Sequence, residues 1–361
     1  MSLFSRARTS LRFLLRQGSG PFAPEEVIVE VTTRCNLACP MCVRTLGRRR
    51  PQKDVALDTF RAWVGNLPLS VERVAFAGLG EPLLHENIVD MVGLLSERGH
   101  APVLYSNATL LTPELSRALL RAGLRAAILP IDGATRETYE RWRKGADFEK
   151  TVANVRELIR LKRELAAPLF LELQMIRLPG TETELGKWRS TWSIPGVDSL
   201  RYKPDHMGEI EKRGAGSAAP STPVSAGRGP AERHAGEGRT DEQPLATGPQ
   251  RGICPMPWRG PATVDIDGNV YPCCVQSPLN VRIGRVPDLP LADIWNGAEG
   301  VRVRHEFLRH RRKLATCAGC DIPLLPAWAS AAGNLLDPFL ARRVLARIEP
   351  LLPFISGRRK A

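Results

Sequence analysis

The sequence has no uninterrupted apolar stretch of about 20 residues, the length that spans a bilayer, and so predicts no transmembrane helix. It also lacks a secretory signal peptide, because arginines interrupt the apolar residues of positions 1–17 and no clear cleavage site follows. Aromatic residues make up only 6% of the chain, and no acidic residue precedes Glu25. These absences argue against an integral membrane protein and against a secreted, disulfide-stapled domain, so we expect a cytoplasmic protein.

The 361 residues, of which 43% are hydrophobic, suit a globular protein with one large and one small domain. A formal net charge of +13 can attract anions, nucleic acid or acidic lipid, although solvated surface arginines are the favoured interpretation of each basic run taken alone. The sequence contains neither a zinc knuckle nor an aromatic platform for bases, and we therefore do not expect a nucleic-acid partner.

Three of the eight cysteines, Cys35, Cys39 and Cys42, lie within eight residues and directly follow an apolar run at 27–31. Three thiolates on one loop can bind three irons of a [4Fe–4S] cubane and leave the fourth iron without a protein ligand. The alternative is a zinc or redox loop. A closed zinc site needs four ligands, however, and neither a histidine nor a fourth cysteine is nearby.

Apolar runs alternate with helical periods from residue 26 to about residue 204. This alternation predicts a parallel sheet with right-handed crossovers, in which polar groups at the carboxyl ends of the strands carry the chemistry. Six such units are too few to close an eight-stranded barrel. The predicted strands are 27–31, 71–77, 101–105, 126–131, 169–175 and 199–202, and the predicted helices are 57–66, 86–98, 113–122, 148–165 and 183–188.

Polar or glycine-rich segments follow three of these strands. After the second strand, glycines would let the backbone approach a ligand closely, a proline would fix the turn, and a glutamate could accept a hydrogen bond from an ammonium group. An ordinary turn or helix-capping role is the alternative for each residue. The residues are Gly78, Gly80, Glu81 and Pro82 after the second strand, Ser106 and Asn107 after the third, and Asp132 after the fourth.

A second set of four cysteines surrounds a hairpin predicted at 263–271, with Asp267 and Gly268 in its turn. This set can bind a second cluster, and an all-thiolate structural zinc site is the alternative. Cys274 would then be a spare thiol, or would replace its neighbour as ligand. The four residues are Cys254, Cys273, Cys317 and Cys320.

The cysteine loop after strand one, followed by the Gly-Leu-Gly-Glu-Pro segment after strand two, resembles the radical S-adenosylmethionine (SAM) superfamily. The second set of cysteines resembles the SPASM or shorter twitch domain found at the carboxyl end of some members. The resemblance implies an α/β fold, a partial (β/α)6 TIM-like barrel followed by a small α+β auxiliary iron–sulfur domain. The sequence departs from the family at Met41, where an aromatic residue is usual, and it lacks a clear GxIxGxxE motif after strand five.

The resemblance also implies the cofactors, which are a SAM-binding [4Fe–4S] cluster, SAM itself and an auxiliary [4Fe–4S] cluster. Cys35, Cys39 and Cys42 would bind the first cluster, and Cys254, Cys273, Cys317 and Cys320 the second. The segment Gly78, Gly80, Glu81 and Pro82 would bind the amino group of SAM. Ser106, Asn107 and Asp132 are candidates for contacts with the SAM ribose or the substrate, and Gln174 in strand five is a weaker candidate at the same mouth.

The implied reaction is reductive cleavage of SAM to a 5′-deoxyadenosyl radical, which abstracts a hydrogen atom from the substrate. We expect net oxidation of a small, sugar-like molecule, with the auxiliary cluster as electron acceptor and a flavodoxin or ferredoxin as electron donor. One alternative is a maturase that modifies a peptide or protein. Another is a non-catalytic iron–sulfur scaffold or electron carrier, which would have no use for an acceptor such as Glu81.

Composition sets the expected domain boundaries. For the first segment, a helix packed on the outside of the barrel is favoured over a membrane-surface helix. The segments are a basic amino-terminal helix at 1–25, the radical SAM core at 26–204, a disordered linker or inserted loop at 205–252, the SPASM or twitch domain at 253–325, and a basic carboxyl-terminal helix at 326–361.

Overall fold

A computed structural model describes residues 3–46, 50–204, 254–274 and 281–310 and the single residues 317 and 339. Its centre is one nine-stranded sheet with the strand order β6-β5-β4-β3-β2-β1-β7-β8-β9. Strands β1 to β7 are parallel, whereas β8 and β9 pair antiparallel. The strands are β1 Glu26–Val29, β2 Arg73–Phe76, β3 Ala101–Tyr105, β4 Ala126–Pro130, β5 Phe170–Arg177, β6 Ser199–Pro204, β7 Ala262–Val264, β8 Asn269–Tyr271 and β9 Gly284–Arg285.

Helices connect the parallel strands, as the alternating pattern predicts. Several begin at clear caps: the hydroxyl of Thr112 accepts a hydrogen bond from the Leu115 amide, and Asp147 Oδ1 accepts one from the Lys150 amide. The helices are α1 Leu3–Leu14, α2 Leu57–Gly65, α3 Ile88–Glu97, α4 Pro113–Arg121, α5 Arg136–Trp142, α6 Phe148–Glu164, α7 Thr181–Trp192, α8 Met256–Arg259, α9 Leu291–Asn296 and α10 Ala298–His310.

The two faces of the sheet bury different sets of side chains, because alternate residues of a strand point to opposite faces. The outer face packs against the helices and forms the main core, to which Val27, Phe76 and Leu173 belong. The inner face forms a smaller cluster of Ala75, Val103, Ala126, Ile128 and Phe170, against which Phe339 also packs. The sheet therefore curves into a partial barrel that is not closed, and the prediction of an α/β partial barrel is confirmed.

The predicted hairpin belongs to this same sheet. Strand β7 pairs parallel with β1, in the register Val27 to Ala262 and Val29 to Val264, and β8 returns antiparallel after the turn at Gly268. The iron–sulfur region expected at 253–325 thus extends the barrel sheet at its β1 edge. No local pattern predicts this pairing, because it joins strands that are more than 230 residues apart in the chain.

The amino-terminal segment contains the predicted helix as α1. Phe13 on its buried face belongs to the same core as the outer face of the sheet, and it packs edge-on against Trp258 of α8, with ring centroids 5.5 Å apart. The buried guanidinium of Arg304 donates to the carbonyls of Gly18, Pro257 and Trp295 at 2.7–3.1 Å. These contacts join the start of the chain to the region that carries the second set of cysteines.

The predicted helices and strands of the core agree with the structure, with one exception. All six core strands and all five core helices that we predicted are present, with shifted ends. Helix α5 was missed, because Arg136–Trp142 has only two large apolar residues. The expected linker at 205–252 and most of the expected helix at 326–361 lie outside the described residues. Among the residues that are described, no helix is both long and apolar enough to cross a membrane.

Glu184, in the first turn of α7, ties this helix to the start of α5. Its carboxylate accepts hydrogen bonds from the Ala134 amide and from the hydroxyls of Thr135 and Thr138, each at 2.6 Å. Burial alone would raise the pKa of Glu184, but these three hydrogen bonds outweigh it and lower the pKa below its usual value. The ionised carboxylate therefore stabilises the folded state.

We predict that Glu184→Gln lowers the free energy of unfolding by about 1–2 kcal/mol near neutral pH, a modest loss because the side chain is partly exposed. Because the pKa of Glu184 is lowered in the folded state, its carboxylate stabilises the protein fully when the pH is above the usual glutamate pKa of about 4.3. This stabilisation disappears as the pH falls through the folded-state pKa. Urea unfolding across this pH range measures the effect. Glu182→Gln, an exposed change on the same turn, is the control, and equal losses in the two variants would contradict the prediction.

Candidate active site

The three cysteines of the first set lie on one loop at the carboxyl-terminal edge of the parallel strands, directly after β1. The Cys42 amide donates to the Cys39 carbonyl at 3.1 Å, which closes a tight turn between these two cysteines. Their side chains share an apolar cluster with Leu37 and Leu178, and none of the three forms a disulfide. The structure thus presents three available sulfurs in an apolar surrounding.

The chemistry of this donor set fits an iron–sulfur cluster. Burial raises the pKa of the Cys35 and Cys39 thiols, so the metal-free thiols retain their protons and would release them when iron binds. Within the described residues, no three Cys, His, Asp or Glu side chains surround a single metal position. A cubane makes a different demand, because each of its cysteines binds a separate iron.

The Gly-Leu-Gly-Glu-Pro segment after β2 packs directly against the cysteine loop. The Glu81 amide donates to the carbonyl of Arg34 at 2.7 Å, one residue before Cys35. A Cβ atom at Gly80 would lie 2.1 Å from the carbonyl oxygen of Thr32, so only glycine allows this approach. The two motifs therefore lie side by side, and the contact of each residue with SAM stays a prediction.

The carboxylate of Glu81 is buried and accepts three hydrogen bonds from the protein. Its Oε1 accepts from the Ser106 hydroxyl at 2.7 Å and the Leu83 amide at 3.2 Å, and Oε2 accepts from the Asn107 amide at 2.8 Å. Burial raises the pKa of Glu81, and the hydrogen bonds oppose this rise. An ionised carboxylate has about four acceptor sites, so these three hydrogen bonds do not exhaust its capacity, and a contact with a ligand's ammonium group stays a prediction.

Asn107 joins the loop after β3 to the cysteine loop. Its Nδ2 donates to Asn36 Oδ1 at 2.9 Å, and Asn36 Nδ2 donates to Thr109 Oγ1 at 2.8 Å. Thr109 in turn donates to Asn107 Oδ1 through both its amide and its hydroxyl. This ring of hydrogen bonds fixes Asn36, the residue between Cys35 and the rest of the loop.

Asp132, predicted as a ribose or substrate contact, is fully buried and forms an ion pair with Arg143, just beyond α5. Its Oδ1 accepts the Ile176 amide at 2.7 Å, and Arg143 Nε donates to Oδ2 at 2.7 Å. Burial alone would lower the pKa of Arg143, but the charge of Asp132 raises it above its usual value. The positive charge of Arg143 also opposes the rise that burial causes in the pKa of the Cys39 thiol. A ligand contact by Asp132 stays a prediction.

Gln174 lies on the inner face of the barrel, as part of a buried polar group. Its Nε2 donates to Glu172 Oε1 at 2.5 Å, and the Ser199 hydroxyl donates to Glu172 Oε2 at 3.0 Å. The next inner-face residue of β5, Ile176, packs against the apolar cluster around the cysteines. This polar group therefore lies one step along the strand from the first cysteine site.

The second set of cysteines is described in part. Cys273 follows β8, and its carbonyl accepts a hydrogen bond from the Thr263 hydroxyl at 3.0 Å. Because β8 runs antiparallel to the barrel strands, Cys273 lies at the amino-terminal edge of the sheet, opposite the first set. A hydrogen bond from Cys273 lowers the pKa of the Cys274 thiol. Cys254 and Cys317 are described, Cys320 is not, and the ligand set stays a prediction.

Four polar residues of the site were not identified from the sequence: Asn36, Thr109, Arg143 and Glu30. Glu30 carried a usable signal, because a lone carboxylate in the apolar run 27–31 is rare unless it has partners. Asn36 lies inside the cysteine motif itself. Arg143 and Thr109 carried no such signal, because their partners Asp132 and Asn36 come close to them only in the folded chain.

Comparison with known families agrees with this geometry. Residues 29–169 match the model of the radical SAM superfamily, and residues 254–321 match that of SPASM, an iron–sulfur cluster-binding domain. The first match contains the first cysteine loop and the Gly-Leu-Gly-Glu-Pro segment. The second contains all four cysteines of the second set.

Curated relatives match over part of their length. An AdoMet-dependent heme synthase of Methanosarcina barkeri is 30% identical over 138 residues, which is 38% of this chain and 39% of that protein. A dTDP-4-amino-4,6-dideoxy-D-glucose ammonia-lyase of Streptomyces venezuelae is 28% identical over 170 residues, 46% of this chain and 35% of that protein. The matched stretches thus span less than half of either relative.

Solved structures share the fold over most of the chain. BtrN in complex with AdoMet and 2-DOIA superposes with a TM-score of 0.51 at 18% identity, covering 83% of this chain and 93% of BtrN. Native anSMEcpe with bound AdoMet and the Cp18Cys peptide gives a TM-score of 0.53 at 15% identity, covering 89% of this chain and 98% of that one. At these identities the likeness concerns the fold alone.

We predict that Glu81→Gln lowers the free energy of unfolding by about 1–3 kcal/mol. The new amide NH2 must occupy one of the two oxygen positions. It would face the Leu83 amide in one orientation and the Asn107 amide in the other, so a donor always opposes a donor. Urea unfolding of the metal-free protein measures the loss. The exposed neighbour change Glu86→Gln is the control, and equal stability of the two variants would contradict this account.

Proposed function

We propose that this chain, whose residues 29–169 match the model of the radical SAM superfamily and whose residues 254–321 match that of SPASM, an iron–sulfur cluster-binding domain, oxidises a small, sugar-like substrate. The pairing of β1 with β7 carries the proposal. It sets the first cysteines at one edge of the sheet and Cys273 at the other, with the inner face of the barrel between them.

When bound, SAM and the two clusters would supply the 5′-deoxyadenosyl radical and an electron acceptor. The proposed reaction is a dehydrogenation that removes two hydrogens from the substrate. One leaves as a hydrogen atom and ends in 5′-deoxyadenosine. The other would leave as a proton, released to solvent, and an electron, for which an auxiliary cluster held by the second set of cysteines would be the acceptor. A flavodoxin or ferredoxin is the proposed donor of the electron that SAM cleavage consumes.

The chain's own residues bind and orient these groups. Cys35, Cys39 and Cys42 would hold the first cluster on the loop that Asn36 fixes. The remaining acceptor site of Glu81 would take the ammonium group of SAM, and Gly78, Gly80 and Pro82 shape the same loop. The hydrogen bond from the Glu81 amide to the Arg34 carbonyl holds this loop at a fixed position relative to the cysteines. SAM bound to the loop would therefore be oriented towards the cluster.

The polar group on the inner face supports a small polar substrate. Glu172, Gln174 and Ser199 provide hydrogen-bonding atoms that match the hydroxyl and amino groups of a sugar. One relative is named for a dTDP-linked amino sugar, and BtrN is solved with 2-DOIA. A small-molecule substrate is therefore favoured over a peptide, although anSMEcpe is solved with a peptide.

Anaerobic assays of the reconstituted protein test the proposal. The protein, SAM and a flavodoxin reducing system are incubated separately with amino sugars, with nucleotide-linked sugars and with cysteine- or serine-containing peptides. We expect 5′-deoxyadenosine and a product lighter by two hydrogens with a sugar substrate only. A substrate deuterated at the reacting carbon should transfer deuterium into 5′-deoxyadenosine.

The variant Cys35→Ala/Cys39→Ala/Cys42→Ala is the control and should form no 5′-deoxyadenosine. Turnover of peptides alone would overturn the substrate class in favour of a maturase. A sugar product of unchanged mass would overturn the oxidation. Absence of SAM cleavage by the wild-type protein, with or without substrate, would favour a scaffold or electron carrier.

A further inference from the structure

The amino-terminal helix α1 has one face fixed to the protein. Phe13 is buried against Trp258, and Thr9 and Ser10 are buried beside it. Just past the helix, the Gln17 carbonyl accepts a hydrogen bond from Trp258 Nε1 at 2.7 Å, and the Gly18 carbonyl accepts one from Arg304 Nε at 2.7 Å. The helix is therefore held in place along this side.

The opposite side presents leucines to solvent. Leu11, Leu14 and Leu15 are 56%, 42% and 60% exposed, although each is a large apolar residue. Leu11 and Leu15 are four positions apart, so they lie one above the other on a helical path, and exposed Arg8 lies one turn before Leu11. Because Phe13 and Thr9 point into the protein, these leucines do not belong to the face that anchors the helix.

The charged residues of this segment have one sign. Residues 1–24 contain Arg6, Arg8, Arg12 and Arg16 and no acidic residue. Arg8 and Arg16 are exposed, while the guanidinium of Arg12 lies over the Phe22 ring at 6.0 Å. Exposed leucines bordered by arginines are typical of helices that lie in the interface of an anionic membrane.

We propose that the Leu11, Leu14 and Leu15 face of α1, bordered by Arg8 and Arg16, docks this protein on an anionic lipid bilayer. The leucines enter the headgroup region and the arginines pair with lipid phosphates. Three leucine side chains can bury far less than the roughly 800 Å² that each partner buries in a stable protein interface. A second copy of the chain is therefore a poor occupant of this surface. A bilayer can bind a small apolar surface when nearby basic residues are also attracted to anionic lipid headgroups.

The attachment of α1 to the body of the protein suits this role. An isolated amphipathic peptide must fold when it binds, which costs conformational entropy. Here the contacts of Phe13, Gln17 and Gly18 hold the helix in advance, so the docking face is already formed. The proposal concerns the location of the enzyme and does not depend on the substrate class.

Sedimentation with lipid vesicles tests the proposal on the reconstituted full chain. One set of vesicles contains phosphatidylcholine alone, and the other contains phosphatidylcholine with phosphatidylglycerol. We expect binding to the anionic vesicles that weakens as salt rises, and little binding to the neutral ones. Leu11→Ser/Leu15→Ser should lower the vesicle partition coefficient about tenfold, and Arg8→Gln/Arg16→Gln should remove most of its salt dependence.

Leu69→Ser is the matched control, because Leu69 is 82% exposed in the loop between α2 and β2, away from α1. It should bind vesicles like the wild type, and all variants should retain the wild-type iron content. Equal binding to both kinds of vesicle, or equal binding by Leu11→Ser/Leu15→Ser and Leu69→Ser, would overturn the proposal. So would a dimer in light scattering that only the Leu11→Ser/Leu15→Ser change dissociates.

Discussion

The buried carboxylate of Glu30 is the contact on which both halves of the structure depend. It extends from the end of β1, where one oxygen accepts the Leu79 amide of the Gly-Leu-Gly-Glu-Pro segment at 2.8 Å. The other oxygen accepts the Ile266 amide at the end of β7 at 3.2 Å, and Arg50 lies 3.3 Å away as its counter-charge. Burial raises the pKa of Glu30, so these partners are needed to keep its charge inside the protein. One side chain thus fastens the core loop and the iron–sulfur hairpin to the same strand.

From this strand the site extends to both edges of the sheet. At the carboxyl edge, Glu81, Asn107 and Asn36 form a continuous hydrogen-bonded path that holds the cysteine loop against the Gly-Leu-Gly-Glu-Pro segment. At the amino edge, Thr263 of β7 holds the Cys273 carbonyl. The inner face between the two edges is lined by apolar side chains and by the polar group around Glu172. A single continuous sheet therefore fixes the separation of the two cysteine sites, which a flexible linker between separate domains would not do.

Local features of the sequence were sufficient to predict much of this arrangement. The apolar runs predicted all six core strands, because each signal lies within a few consecutive residues. The cysteine spacing and the segment with Gly80 and Glu81 indicated two loops that the structure brings into contact, and the roles of their residues as ligands stay predictions. Features that depend on distant residues could not be found this way. The β1–β7 pairing, the Asp132–Arg143 ion pair and the packing of Phe13 on Trp258 all join segments whose order in space the sequence does not state. The polar helix α5 was missed for another reason, since its stability comes from its cap and from Glu184 rather than from an apolar period.

The central claim is that one sheet carries two cubane clusters at opposite edges, and iron and acid-labile sulfide per chain test it most directly. After anaerobic reconstitution, the account predicts about eight irons and eight sulfides in the wild type and about four of each in Cys35→Ala/Cys39→Ala/Cys42→Ala. About four irons in the wild type and none in the variant, with zinc in both, would contradict it. The second site would then be structural and could not accept an electron from the substrate.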